Sequence, residues 1–235
     1  MIPSARIGQK ARRLISLAEQ LAGDPGRMAD CCYQLIGADS SVKGFFPGAS
    51  CLNNDGTPLQ LCLTSGHKGI ALRAIGDPGA FYTSTEERYN SSIQTLFSVI
   101  ESNDAQELSP LAKETIALLI PQAYEERNAY KQGFVWIAAS PDQPGIAFYL
   151  EMACLGLENA WLAVERWLAR VLPSPNAARR MVETLTRHCV VASAGLEGGT
   201  LANTRAKIYF RLLKPIGLGA LGVDIFSSTE VKDFL

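Results

Sequence analysis

Three times over, the sequence places helical stretches ahead of two short runs of alternating residues joined by a turn, and this recurrence constrains the fold most. Two runs of period two joined closely read as an antiparallel hairpin, and a hairpin with one apolar face needs helices to cover it. Two helices open the chain, Ser4–Ala22, stopped by Gly23-Asp-Pro-Gly26, and Arg27–Leu35. The first hairpin pairs Pro58–Ser65 with Ile70–Gly76 across Gly66-His-Lys-Gly69. Thr83-x-x-Glu86 has the form of a capping box and predicts a helix to about Asn103; Ser109-Pro110 opens another, interrupted at Pro121.

The unit then recurs. Phe134–Ser140 and Ile146–Met152 flank the turn Pro141-Asp-Gln-Pro-Gly145. Leu157–Leu172 is an amphipathic helix ended by Pro173-Ser-Pro175, and Ser174 caps Asn176–His188. The third hairpin is Cys189–Gly195, a loop, and Thr204–Leu213, after which Ser227-x-x-Glu230 is another capping box. The expected organisation is one unit over 1–235, with 1–50 an N-terminal helical segment and 51–235 three hairpin-and-helix repeats.

Side-chain parity agrees from hairpin to hairpin. Leu59, Leu61 and Leu63 oppose Gln60, Cys62 and Thr64; Ile70, Leu72 and Ala74 oppose Ala71, Arg73 and Ile75; Ile146, Phe148 and Leu150 oppose Ala147, Tyr149 and Glu151. The last strand is the most polarised. Arg205, Lys207, Tyr209 and Arg211 share one face at roughly 6.6–7 Å intervals, and Ala206, Ile208, Phe210 and Leu212 share the other. A row of cations with a phenol suits a polyphosphate, through charge-assisted hydrogen bonds. A solvated outer sheet face explains the alternation, and so does a barrel with a polar lumen wrapped in helices. The lumen version gathers Gln60, Arg73, Tyr149, Arg205, Lys207, Tyr209 and Arg211 around one cavity.

Bulk properties narrow the ligand. A net charge of −1 argues against a nucleic-acid binder, so the basic face is local and favours a small anion. No apolar run approaches the roughly 20 residues of a membrane span, and no signal peptide is legible. Six cysteines without a C-x-x-C pair read as free thiols in a reducing cytoplasm, and two histidines give a metal site little to work with.

Three segments resemble the aromatic prenyltransferases of the dimethylallyl-tryptophan synthase type, the ABBA or PT-barrel family. Asp55-Gly-Thr-Pro58-Leu-Gln60-Leu is similar to the family's Asp-Gly-x-Pro-x-Glu strand. Leu72-Arg73-Ala-Ile-Gly-Asp77-Pro78 is similar to its Val-Arg-x-x-x-Glu-Pro strand, and Arg205-Ala-Lys207-Ile-Tyr209 matches its Arg-x-Lys-x-Tyr strand. The resemblance runs from about Asp55 to Arg211 and rests on short motifs in the right order. It implies an α+β fold in which repeated α-β-β-α units form an antiparallel β-barrel, whole or partial, ringed by helices.

The function it implies is metal-independent transfer of a short isoprenyl group from its diphosphate to an aromatic or indole acceptor. Arg73, Tyr149, Arg205, Lys207, Tyr209 and Arg211 would bind the diphosphate, and Gln60 would meet the acceptor. No cofactor is implied beyond the isoprenyl diphosphate co-substrate, and neither nucleic acid nor membrane is an expected partner.

Three departures accompany the resemblance. Gln60 stands where the family has an acceptor-binding carboxylate; it can accept a hydrogen bond but not remove a proton. Ala147-Phe148-Tyr149 keeps the tyrosine of a Lys-x-Tyr pair and lacks its lysine. Three hairpins supply six strands where the family has ten, which suggests a truncated or degenerate barrel, or a homodimer in which two chains complete one. A catalytically inactive barrel-like binding or accessory protein of a biosynthetic pathway is the alternative.

Other features read as structural. Trp161 and Trp167 lie on one helix as core residues, whereas Trp136 is open between core and lumen. Gly195-Leu-Glu197-Gly198-Gly199 reads as a flexible connection, His67 as a solvated turn residue, and the adjacent His188 and Cys189 as pointing to opposite faces.

Overall fold

A computed structural model describes residues 4–37, 50–66, 69–120, 133–152, 155–172, 182–183 and 185–215. In chain order the elements are α1 (Ser4–Leu21), α2 (Pro25–Leu35), β1 (Leu59–Gly66), β2 (Gly69–Gly76), α3 (Thr85–Ser102), α4 (Ser109–Leu119), β3 (Val135–Ser140), β4 (Gln143–Glu151), α5 (Leu157–Val171), β5 (Cys189–Gly198) and β6 (Arg205–Leu212). The six strands form one antiparallel sheet in the order β1-β2-β3-β4-β5-β6, curled into a half-barrel with helices on its outer side. The expected α+β architecture of hairpins wrapped by helices is therefore present, as a partial barrel. His67, Pro121, Ser174 and Ser227-x-x-Glu230 lie outside the described residues.

The core sits between the outer sheet face and the helices. Leu59, Leu72, Ala74, Val135, Ile137, Ile146, Phe148, Leu150, Val191, Ala194 and Leu196 face outward from the sheet and are buried. They meet helix stripes at i, i+3/i+4 and i+7 spacing, such as Leu96, Val99 and Ile100 on α3 and Trp161, Val164 and Leu168 on α5. Both α5 tryptophans are core residues with satisfied indoles. Trp161 Nε1 donates to the Cys189 carbonyl at 2.9 Å and Trp167 Nε1 to Thr115 Oγ1 at 3.0 Å. Cys189 is buried at the start of β5, after a turn that carries His188.

Several boundaries differ from those read in sequence. The cap of α3 is Ser84, one residue on from Thr83: Ser84 Oγ accepts the Glu87 N–H at 3.2 Å and donates to Glu87 Oε2 at 2.7 Å. Ser84→Ala should lower stability by about 1 kcal/mol, seen as a lower urea midpoint at unchanged slope. The second hairpin is tighter than expected, since β4 begins at Gln143 and Ser140 pairs with it directly. The third is longer. Residues 195–198 continue β5, so most of the segment read as a flexible connection is strand, with 195–197 ladder-paired on both sides and Gly198 paired with Ile146 of β4. A register shift between Val191 and Ser193 explains why the outward set in β5 steps from Cys189 and Val191 to Ala194 and Leu196.

Candidate active site

Cross-strand register places one inward-facing row across all six strands. Gln60 pairs with Ile75, Ile75 with Ala138, Ala138 with Ala147, Ala147 with Glu197, and Glu197 with Arg205. The neighbouring row runs Trp136, Tyr149, Gly195 and Lys207. Trp136 thus points to the inner face, where it packs with Ala138, Ala147, Tyr149 and Ile75 in a cluster separate from the main core. Its buried indole N–H meets no hydrogen-bond partner among the described residues.

Glu197 is the centre of the charged group. Its Oε1 accepts from Arg73 Nη1 at 2.7 Å, and its Oε2 pairs with Lys207 Nζ and, at 3.3 Å, with Arg205 Nη2. Arg73 and Glu197 stand three strands apart, about 14 Å on a flat sheet at ~4.8 Å per strand. Arg73 sits opposite Cys62, one inward position along β2 from Ile75 of the Glu197 row. The two side chains bridge the gap diagonally because the sheet curls and because the inward residues of that row on β3 and β4 are only alanines, Ala138 and Ala147. A bulky side chain at either position would stand in the way of the bridge. Glu197 keeps 13% of its side chain exposed. Burial works against its charge, yet the hydrogen bonds from Lys207 and Arg73 outweigh it and hold the carboxyl below the usual range. Three cations against one carboxylate leave a net charge of +2.

Two phenols flank the cluster. Tyr149 and Tyr209 meet edge to face, with ring centroids 5.1 Å apart at 90°. Burial first, then hydrogen bonding with Tyr209, pushes the Tyr149 phenol upward, so it stays a neutral donor. Tyr209 is exposed at the rim.

Of the residues singled out in sequence, Arg73, Arg205 and Lys207 converge on Glu197 with Tyr149 and Tyr209 alongside. Gln60 shares the Glu197 row at its far end, half-buried on β1. Arg211 lies further along β6 opposite Val190, exposed and outside the ion pairs around Glu197. Asp77, within the second resembling segment, is buried below the end of β2. It caps the turn Pro78–Phe81 by accepting the Gly79 N–H at 3.1 Å, and burial pushes its carboxyl up to about 7. Glu197 itself was not singled out in the sequence. Among the described residues no three His, Cys, Asp or Glu side chains gather as a metal site, and no helix is long and apolar enough to cross a membrane.

A curled antiparallel sheet with cations and phenols on its inner face and helices outside defines a partial PT-barrel fold. Solved structures agree on the fold. AnaPT from Neosartorya fischeri matches at a TM-score of 0.69 with 15% identity, over 94% of this chain and 64% of its own. The 6-dimethylallyltryptophan synthase from Micromonospora olivasterospora, solved in complex with DMASPP and Trp, matches at 0.68 with 16% identity, over 97% and 65%. The 5-dimethylallyl tryptophan synthase from Streptomyces coelicolor matches at 0.62 with 21% identity, over 88% and 56%. The fold is thus that of the indole prenyltransferases, and the chain spans under two thirds of the length of each. No sequence-family profile and no curated protein sequence matches the chain.

Proposed function

We propose that this chain transfers a short isoprenyl group from its diphosphate to an aromatic or indole-like acceptor, in the cytoplasm and without a metal ion. The observation that carries the reading is the convergence of Arg73, Arg205 and Lys207, from β2 and β6, on one point of the inner face. Ionisation of an allylic diphosphate needs positive charge fixed before the C–O bond breaks, because reorganising solvent around the leaving group would cost what the site must supply. Three side-chain cations provide that charge, and the Tyr149 and Tyr209 hydroxyls add neutral donors. The allylic cation is then attacked by the electron-rich ring of the acceptor, which regains aromaticity by losing the proton at the attacked carbon to the released diphosphate or to water. Aromatic faces such as Trp136 and Tyr149 shield the cation until then. Gln60 would accept a hydrogen bond from the acceptor's N–H.

The direct test is calorimetric titration with a non-hydrolysable dimethylallyl diphosphate analogue in EDTA, followed by product analysis with indole acceptors. Micromolar binding that is lost in Lys207→Ala, together with a prenylated product, is the expected result. A folded chain that binds no analogue overturns the reading. Binding without turnover selects the accessory-protein alternative, which Gln60 favours because it cannot take a proton from the acceptor.

A further inference from the structure

We infer that Glu197 is a resident counter-anion of the cation cluster, holding Arg73, Arg205 and Lys207 in place until a diphosphate takes them over. The inference rests on the diphosphate reading of the same site and adds how that site is kept and what it admits. Glu197 supplies both carboxylate oxygens to cations from two strands, with little of its side chain exposed, so it does within the chain what a bound anion would do. Without it, three like charges would share a curled, half-covered face and repel one another.

The geometry allows exchange without moving the backbone. Residue 197 is held in the ladder from both sides, by Ala147 and by Arg205, so only its side chain can leave. On the inner face Ala147 across one ladder and Gly195 along the strand put no bulk beside the carboxylate, and across the other ladder stands Arg205, one of the cations it holds. An entering anion must outbid two carboxylate oxygens carrying one negative charge. A diphosphate does so with more charge and more acceptor oxygens; a monovalent anion such as chloride offers no more charge than Glu197. Glu197 therefore sets a threshold, closing the cluster to simple anions and leaving it open to a diphosphate.

The test is calorimetric titration with inorganic pyrophosphate of the wild type, Glu197→Gln, Glu197→Asp and a control, Glu158→Gln, at an exposed position on α5. Glu197→Gln should bind at least about tenfold more tightly than wild type. Glu197→Asp, shortened but still charged, should fall between them, and Glu158→Gln should match wild type. Without ligand, Glu197→Gln should melt below wild type, and pyrophosphate should close the gap. Wild-type binding with equal or weaker binding by both Glu197 variants overturns the counter-anion role and leaves the diphosphate site standing. An equal gain in Glu158→Gln overturns it as a general charge effect. No binding by any variant, all of them melting cooperatively, removes the anion site and the inference with it.

Discussion

Arg73→Ala is expected to weaken diphosphate binding by about a hundredfold while the protein stays folded, because Arg73 is the one cation of the cluster that comes from the opposite part of the sheet. Two losses combine. A charge-assisted hydrogen bond is removed, worth about 1.5–3 kcal/mol. Glu197 is also left undivided between Lys207 and Arg205, so the cluster falls from +2 to +1. Arg73→Lys should recover only part of the affinity. A lysine must span the same three-strand gap to Glu197 with a single ammonium, where arginine brings a planar fork of donors. Titration beside thermal melting checks both variants. Unchanged affinity in a folded Arg73→Ala would place the diphosphate elsewhere.

The second large effect concerns the backbone beneath the site. Gly195→Ala should fail to give soluble folded protein, or lose more than about 4 kcal/mol if it folds. A Cβ at position 195 would lie 1.9 Å from the Phe148 carbonyl oxygen and 2.9 Å from Tyr149 Cα. Both atoms belong to the backbone of β4, so relief requires parting two central strands rather than turning a side chain. Gly23→Ala is the matched control: nothing stands within 4 Å of its added Cβ, and its stability should be nearly unchanged. Comparing soluble yield and urea midpoints of the two variants decides the point. A well-folded Gly195→Ala would show that β4 and β5 do not approach as closely as described.

The strands were legible because their alternation is regular and one face is apolar. Leu59 and Leu72, or Phe148 and Leu150, must face the helices, which sends Gln60, Arg73 and Tyr149 the other way. Glu197 was hidden by composition. Three glycines within five residues read as a connection, and strand propensity counts against glycine, although Ala194 and Leu196 continue the outward set. The slip between Val191 and Ser193 broke the period where it would have helped. Thr83 and Ser84 both satisfy a capping box with the glutamate three residues on, and a difference of one residue is settled by packing rather than by pattern. The orientation of Trp136 depended on register, which fixes faces only once the pairing of β3 is known.

The strand order has a consequence for how this protein comes to be made. Among the described residues every ladder joins strands that follow one another in the sequence, so each of the three hairpins can form locally before β2 meets β3 and β4 meets β5 across longer connections. The charged cluster follows a different schedule. Arg73 arrives with the first hairpin, whereas Glu197 and Lys207 arrive with the last, more than a hundred residues later. During synthesis the arginine emerges long before its partners, and the cluster cannot assemble until β5 and β6 have both been made.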